Sequence, residues 1–278
     1  MTAPRKLTLY AVILAAVLGV SIAIGSAANP IGLSNVEPAK AHGGQMDDEM
    51  VPGLATADAD YRLVADTDVL TADASAPYRF RIVGTDGVVT EFDVAHTKTM
   101  HLIVVRRDFV GFQHLHPDMD AAGTWQANLT LSQAGAYRVF ADFVIDGQKR
   151  TLGTDLFVGG SFEPQPMPGT DHIADAGDGY TVELPGHPHA GEETTLTFVI
   201  RHHGVVVDDI ADYLGARGHL VALRDGDLAY LHVHADEEQL LFETAFPTPG
   251  AYRLFLQFSH TGQVRTAAFT IDTEETSR

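Results

Sequence analysis

Along most of this chain, apolar and polar residues alternate in short runs that are cut by turn residues. Tyr61-Arg-Leu-Val-Ala65, Tyr78-Arg-Phe-Arg-Ile-Val83, His101 to Val105 and Phe112 to His116 have the length and composition of β-strands. Trp125 to Leu131, Ala136 to Phe143 and Leu152 to Val158 continue the series. Gly84-Thr-Asp-Gly87, Ala134-Gly135 and Asp146-Gly147 supply the turns between them. No long segment holds a helical period. Seven or so short strands over about 100 residues predict a β-sandwich of immunoglobulin-like type.

Gly159-Gly160, followed by Pro164, Pro166, Pro168 and Gly169, ends this series, and the pattern then starts again. Tyr180-Thr-Val-Glu-Leu184 answers Tyr61 to Ala65, and Thr195 to Arg201 with Gly204-Val-Val answers Tyr78 to Val83 with Gly87-Val-Val. Gly250-Ala-Tyr-Arg253 answers Gly135-Ala-Tyr-Arg138. The most telling match runs from His101 to Pro117 and from His219 to Ala235. These stretches align without a gap, and His101, His114 and His116 fall on His219, His232 and His234. This is an internal duplication. It predicts an all-β chain of two tandem immunoglobulin-like β-sandwich domains, 59–160 and 173–278, joined by a linker over 161–172.

The N-terminus departs from this pattern. Arg5 and Lys6 precede an apolar run from Leu7 to Ile24, the arrangement of an export signal. Ser26-Ala27-Ala28 offers a small-residue cleavage site, yet the run approaches the roughly 20 residues that span a bilayer. Residues 1–28 are therefore read as a signal or a membrane anchor helix, with the anchor preferred. The cationic flank stays cytoplasmic, so the bulk of the chain lies outside, tethered to the cytoplasmic membrane, or secreted if the signal is cleaved. Residues 29–58 lack periodicity and read as a flexible linker. Within it, His42, Met46 and Met50 admit a metal-capture reading, since thioethers favour Cu(I), beside the plainer reading of an acidic disordered tether.

Composition narrows the function. The net charge of −19 excludes a nucleic-acid partner, which needs a basic patch. The absence of cysteine removes disulfides, thiolate catalysis, iron–sulfur clusters and thiolate metal sites. With 278 residues and 45% hydrophobic content, there is material for one large or two ordinary cores.

The matched histidines carry the candidate chemistry. If the first copy is a hairpin turning through Arg107-Asp-Phe-Val110, His101 faces His116 and Ile103 faces His114 across the ladder. His114 and His116 share a face by alternation, and His101 joins them as an opposed residue. Opposed Cβ atoms lie roughly 4.5–5.5 Å apart, within reach of a common ion. The second copy is expected to repeat this, with His219 opposite His234 and Val221 opposite His232. A slip of one residue would turn His101 to the other face. Three nitrogens without a thiolate suit Cu(II) or Zn(II). Asp93, Asp142, His96 and His260 are available as further ligands, although Asp142 corresponds to Gln257. Both faces of the hairpin also carry apolar residues, so a packing role for the histidines stands beside the metal role. His187-Pro-His189 and His202-His203 fall in turns and read as solvated surface.

Asp212-Tyr-Leu-Gly-Ala-Arg-Gly-His219-Leu-Val221, Tyr230-Leu-His-Val-His234 and Phe246-Pro-Thr-Pro-Gly-Ala-Tyr-Arg-Leu-Phe-Leu-Gln-Phe258 resemble the signature of YtkA-like immunoglobulin-fold modules of exported bacterial proteins. The resemblance covers most of the second copy and, more loosely, the first. It implies export, the sandwich fold and, for some members, heavy-metal or copper handling. Pro117, usual after the second histidine of HxH, is replaced by Ala235 in the second copy.

Two functions follow as expectations. One is an extracytoplasmic, membrane-tethered metal-binding protein, handling or resisting copper through His101, His114, His116, His219, His232 and His234. The other is a non-catalytic interaction module of the cell envelope, with structural histidines and a protein partner. A third option, a His-bound metal activating water, needs a general base beside it, and catalysis is not expected, because neither H-E-x-x-H nor a nucleophile elbow is present.

Overall fold

In the computed structural model, residues 51–72, 75–231, 233–235 and 239–275 are described. The expected signal or anchor, and the His42 to Met50 segment, lie outside the described residues. Among the described residues, no helix is long and apolar enough to cross a membrane.

The first repeat contains β1 (Arg62–Ala65), β2 (Val69–Thr71), β3 (Ser75–Gly84), β4 (Gly87–Val88) and β5 (His101–Arg106). It continues with β6 (Gln113–Leu115), β7 (Asp118–Met119), β8 (Trp125–Thr130), β9 (Gly135–Ile145) and β10 (Gln148–Gly159). One sheet has the order β1-β3-β8-β7, with β4 beside β3, and the other has the order β2-β10-β9-β5-β6. Strand β2 runs parallel to β10. The alternation along β3 sends Tyr78, Phe80 and Ile82 inward, where they meet Trp125, Leu102, Val104 and Val139.

The second repeat contains β11 (Ile173–Gly177), β12 (Tyr180–Glu183), β13 (His189–Ala190), β14 (Glu193–Thr197), β15 (Val199–His202) and β16 (Val205–Val206). It is completed by β17 (His219–Arg224), β18 (Val233–Ala235), β19 (Leu241–Ala245), β20 (Gly250–His260) and β21 (Gln263–Glu275). Strands β13-β21-β20-β17 form one sheet; β11-β12-β15-β16 and β14-β19-β18 form two smaller ones that meet at Phe198.

The matched Gly-Ala-Tyr-Arg stretches explain themselves here. Tyr137 Oη donates to Gln133 O at 2.8 Å, and Tyr252 Oη donates to Thr248 O at 2.7 Å. Both are tyrosine corners, the device that closes the loop before a central strand in immunoglobulin-like sandwiches. The sheet order and these corners make the fold all-β and immunoglobulin-like in both repeats.

Strand β5 is buried along its whole length, and β17 along all but its last residue. The cause is a third core between the repeats. Leu102 and Val104 point into their own sandwich, as do Leu220 and Ala222. Ile103 and Val105 point the other way and pack with Val221, Leu223, Phe140 and Phe255. Phe112 and Phe255 stack face to face, with centroids 4.0 Å apart and rings inclined by 6°. From Val51 onward the chain belongs to one compact unit.

The end of the expected flexible linker is bound rather than free. Arg138, buried on β9, donates to Gly53 O at 2.7 Å and Leu54 O at 2.8 Å, and pairs with Asp155 at 2.9 Å. Gly53 N donates to Thr151 O, and Tyr230 N of the second repeat donates to Pro52 O. Gly53 has φ +75°, and a Cβ there would lie 2.6 Å from the Phe140 ring. Only glycine fits.

Candidate metal centre at the repeat junction

In the first copy the hairpin has the register that brings the histidines together. Leu102 pairs with Leu115, Ile103 with His114 and Val104 with Gln113, so His101 lies across from His116. The ring centroids of His101 and His114 are 5.3 Å apart, those of His101 and His116 5.0 Å, and those of His114 and His116 4.9 Å. One ring nitrogen from each lies within 4.8 Å of the other two.

The second copy keeps the hairpin register at Leu223 opposite Tyr230 and then departs from it. Leu231 N still donates to Ala222 O, as the expected register requires, but Val233–Ala235 then leave β17 and pair with β19 in another sheet. His234 is therefore paired with Glu243, not with His219. Its side chain, and all of His232, lie outside the described residues. The substitution noted after HxH accounts for part of the change. Pro117 has no N–H and interrupts the ladder after Leu115, whereas Ala235 keeps its N–H and runs on in β18 opposite Phe242.

His219 joins the first cluster instead. Its ring centroid lies 6.1 Å from both His101 and His114. His96, exposed in the turn before β5, lies 5.1 Å from His219 and 6.2 Å from His101. Among the described residues the histidines thus gather in one cluster at the repeat junction, where His96, His101, His114 and His219 line a cavity of about 40 Å³, enough for an ion with a water.

Hydrogen bonds assign the protons. His101 Nε2 lies 3.2 Å from the carbonyl oxygen of Ala95, and His114 Nδ1 lies 2.7 Å from Gln257 Oε1 of the second repeat. Ala95 O is an acceptor, so His101 Nε2 carries hydrogen; with Gln257 Oε1 turned toward it, His114 Nδ1 carries hydrogen as well. The Gln257 amide nitrogen faces Thr266 Oγ1 at 3.2 Å, and because a hydroxyl accepts from an amide nitrogen or donates to an amide oxygen, this contact is met in either orientation. In that arrangement the remaining nitrogens, His101 Nδ1 and His114 Nε2, are lone pairs 3.0 Å apart; with the Gln257 amide reversed, His114 Nε2 donates to His101 Nδ1 instead. Buried His116 Nε2 makes no hydrogen bond among the described residues. Lone pairs turned toward one another repel unless a cation lies between them.

Protonation is a poor source of that cation. Burial, and then the neighbouring His101, push the His114 pKa down to about 3. Burial and His101 push His116 down to about 4, and burial holds His219 at about 4. Burial also lowers His101, against the opposing pull of the Ala95 carbonyl and Asp142. Four neutral imidazoles at neutral pH are in the form that binds metal. Hydrogen bonds from the far ring nitrogen to a carbonyl are the usual orientation of a ligating histidine.

The other candidates fall elsewhere. Asp142 pairs with His101 across β9, but Oδ1 accepts from Thr151 at 2.7 Å and Oδ2 faces Lys149 at 3.6 Å. Asp93 accepts from Gly147 N, and His260 is held by Tyr180 and Asp209. His187, His189 and His203 are exposed, as expected; His202 is half-buried and stacks on Tyr180 at 4.1 Å. Gln257 looked like the loss of a ligand in sequence, yet it is the partner that orients His114. Its alignment with Asp142 was the available signal.

The chain resembles several solved structures. It is 13% identical to Escherichia coli alpha-2-macroglobulin activated by porcine elastase, over 78% of this chain and 20% of that one, with a TM-score of 0.28. It is 13% identical to the Escherichia coli adhesin FdeC, over 76% and 63%, with a TM-score of 0.26. For the titin fragment A168169 the values are 12% identity, 77% and 98%, and a TM-score of 0.22. Comparison with curated proteins gives no match. A family model, described as a domain of unknown function (DUF8832), matches residues 55–159 and again 174–275, the two repeats read from sequence and seen in the fold. The chain belongs to that family and carries two copies of its domain.

Proposed function

We propose that this chain is a non-catalytic binding module of the cell envelope, whose two repeats act as one unit and hold a divalent transition-metal ion at their junction. The observation that carries the reading is the convergence of His101 Nδ1 and His114 Nε2, 3.0 Å apart, with unbonded His116 Nε2 beside them. Three imidazoles without sulfur suit Zn(II) and Cu(II) alike. Nothing in the cluster selects copper, and copper storage or resistance gains no support from it. Export and tethering through residues 7–24 rest on the sequence pattern and on the YtkA-like resemblance.

A second reading has its own observation. The His114–Gln257 bond joins the repeats directly, so the cluster also works as a structural interlock in an interaction module without metal. With the Gln257 amide reversed, donation would run from Gln257 to His114 and on to His101, closing the network without a cation.

Calorimetric titration of Zn(II) and Cu(II) into the full-length chain separates the two readings. The metal reading expects saturable binding that is lost in the double variant His114→Ala, His116→Ala. No binding by the wild-type chain, or equal binding by the variant, leaves the interlock reading.

A further inference from the structure

The metal reading assigns three ligands from the first repeat. We infer that His219 of the second repeat supplies the fourth, so that a bound ion fastens the two repeats together. This inference rests on the proposed metal function and adds to it a ligand, a stoichiometry and a coupling.

His219 and His101 are equivalent by duplication, and the structure orients them in the same way. His101 Nε2 is bonded to the carbonyl six residues upstream, Ala95 O at 3.2 Å. His219 Nε2 is bonded to the carbonyl six residues upstream, Tyr213 O at 2.8 Å. Each carbonyl sits in a matching tight turn, Ala95 bridged to Lys98 and Tyr213 bridged to Ala216. Each therefore pins the proton on Nε2 and leaves Nδ1 as the free lone pair. For His101, that Nδ1 is the atom facing His114. The bond satisfies the buried Nε2–H of His219 and leaves Nδ1 as the acceptor of the ring.

Position agrees with this. His219 is 8% exposed and lines the same cavity as His101 and His114. Its rival for the fourth position, Asp142, has both oxygens engaged by Thr151 and Lys149. His96 is exposed at the cavity mouth. His219 stands further out than the triad, with centroids 6.1 Å from His101 and His114 against 4.9–5.3 Å within it, and is not among the three histidines whose nitrogens lie within 4.8 Å of one another, so its side chain has to move inward on binding. The shared apolar core of Ile103, Val221 and Phe255 packs β5 against β17 and β20.

The test combines stoichiometry, affinity and hydrogen exchange on the full-length chain with Zn(II) as the probe. One zinc per chain is expected, and His219→Gln is expected to weaken binding by at least about 100-fold, more than the loss of an outer-shell partner costs. Zinc should slow amide exchange in β5 of the first repeat and in β17 and β20 of the second. Should His219→Gln fold poorly, the exchange pattern of the wild-type chain decides by itself. Zinc binding unchanged in His219→Gln, protection confined to the first repeat, or two zinc ions per chain overturns the inference and leaves a three-histidine site standing. Absence of zinc binding by the wild-type chain overturns both.

Discussion

Gln257 Oε1 accepts a hydrogen bond from His114 Nδ1 at 2.7 Å, from the second repeat to the first. Gln257 occupies in β20 the place that Asp142 occupies in β9, each directly opposite the first histidine of its own repeat. One member of the duplicated pair has become the orienting partner of the other repeat's histidine. A carboxylate there would have placed a second charge in a buried junction.

Gln257→Ala should therefore leave His114 Nδ1–H buried without an acceptor. A stability loss of about 1–3 kcal/mol is expected in chemical denaturation. Metal affinity should fall roughly 10–100-fold in the same variant, measured by calorimetry. A variant as stable as the parent and equal in affinity would remove Gln257 from the site.

The proton assignment is open to direct measurement. Nitrogen-15 NMR of the metal-free chain at neutral pH is expected to show His101 and His219 protonated on Nε2 and His114 on Nδ1. Protonation of His114 on Nε2 would mean a reversed Gln257 amide and a closed network, which favours the interlock.

Stability of the metal-free chain should depend on pH in a set direction. His114, His116 and His219 titrate at about 3, 4 and 4 when folded, below the ordinary value of 6.5. The unfolded chain thus binds more protons between these values, so this contribution to stability is present above pH 6.5 and lost as pH falls toward 4. Each buried histidine adds a slope of at most about 1.4 kcal/mol per pH unit. Urea midpoints at pH 7.5, 6.0 and 5.0 check this, and a flat profile over that range contradicts it.

The shared core predicts joint unfolding. Phe255 is 3% exposed and stacks on Phe112 across the junction. Phe255→Ala should cost about 3–5 kcal/mol and destabilise both repeats, whereas independent repeats would leave the first unchanged. Hydrogen exchange resolved by strand distinguishes the outcomes.

Arg138→Met should free the segment at Gly53. The carbonyls of Gly53 and Leu54 lose their charged donor, at a cost on the order of 3 kcal/mol. Exchange at the Gly53 and Gly153 amides, which bond Thr151 O and Ala55 O, should accelerate first. Unchanged exchange there would show that Arg138 does not hold the segment.

The sequence alone determined the duplication, the longer strands and the presence of a histidine-bearing hairpin, with its register open. Strand period, turn residues and the gapless match of His101, His114 and His116 with His219, His232 and His234 are local properties of the chain, whereas the structure chose the register that puts His101 across from His116. Tertiary structure decided how the histidines are shared. The outward faces of β5 and β17 are apolar in both copies, and apolar faces bury one another. That contact set His219 beside the first triplet, turned Gln257 toward His114 and drew the chain at Gly53 across to Tyr230. Its partners are 143 residues apart in the case of His114 and Gln257, and no pattern along the chain encodes a pairing made only when two folded surfaces meet.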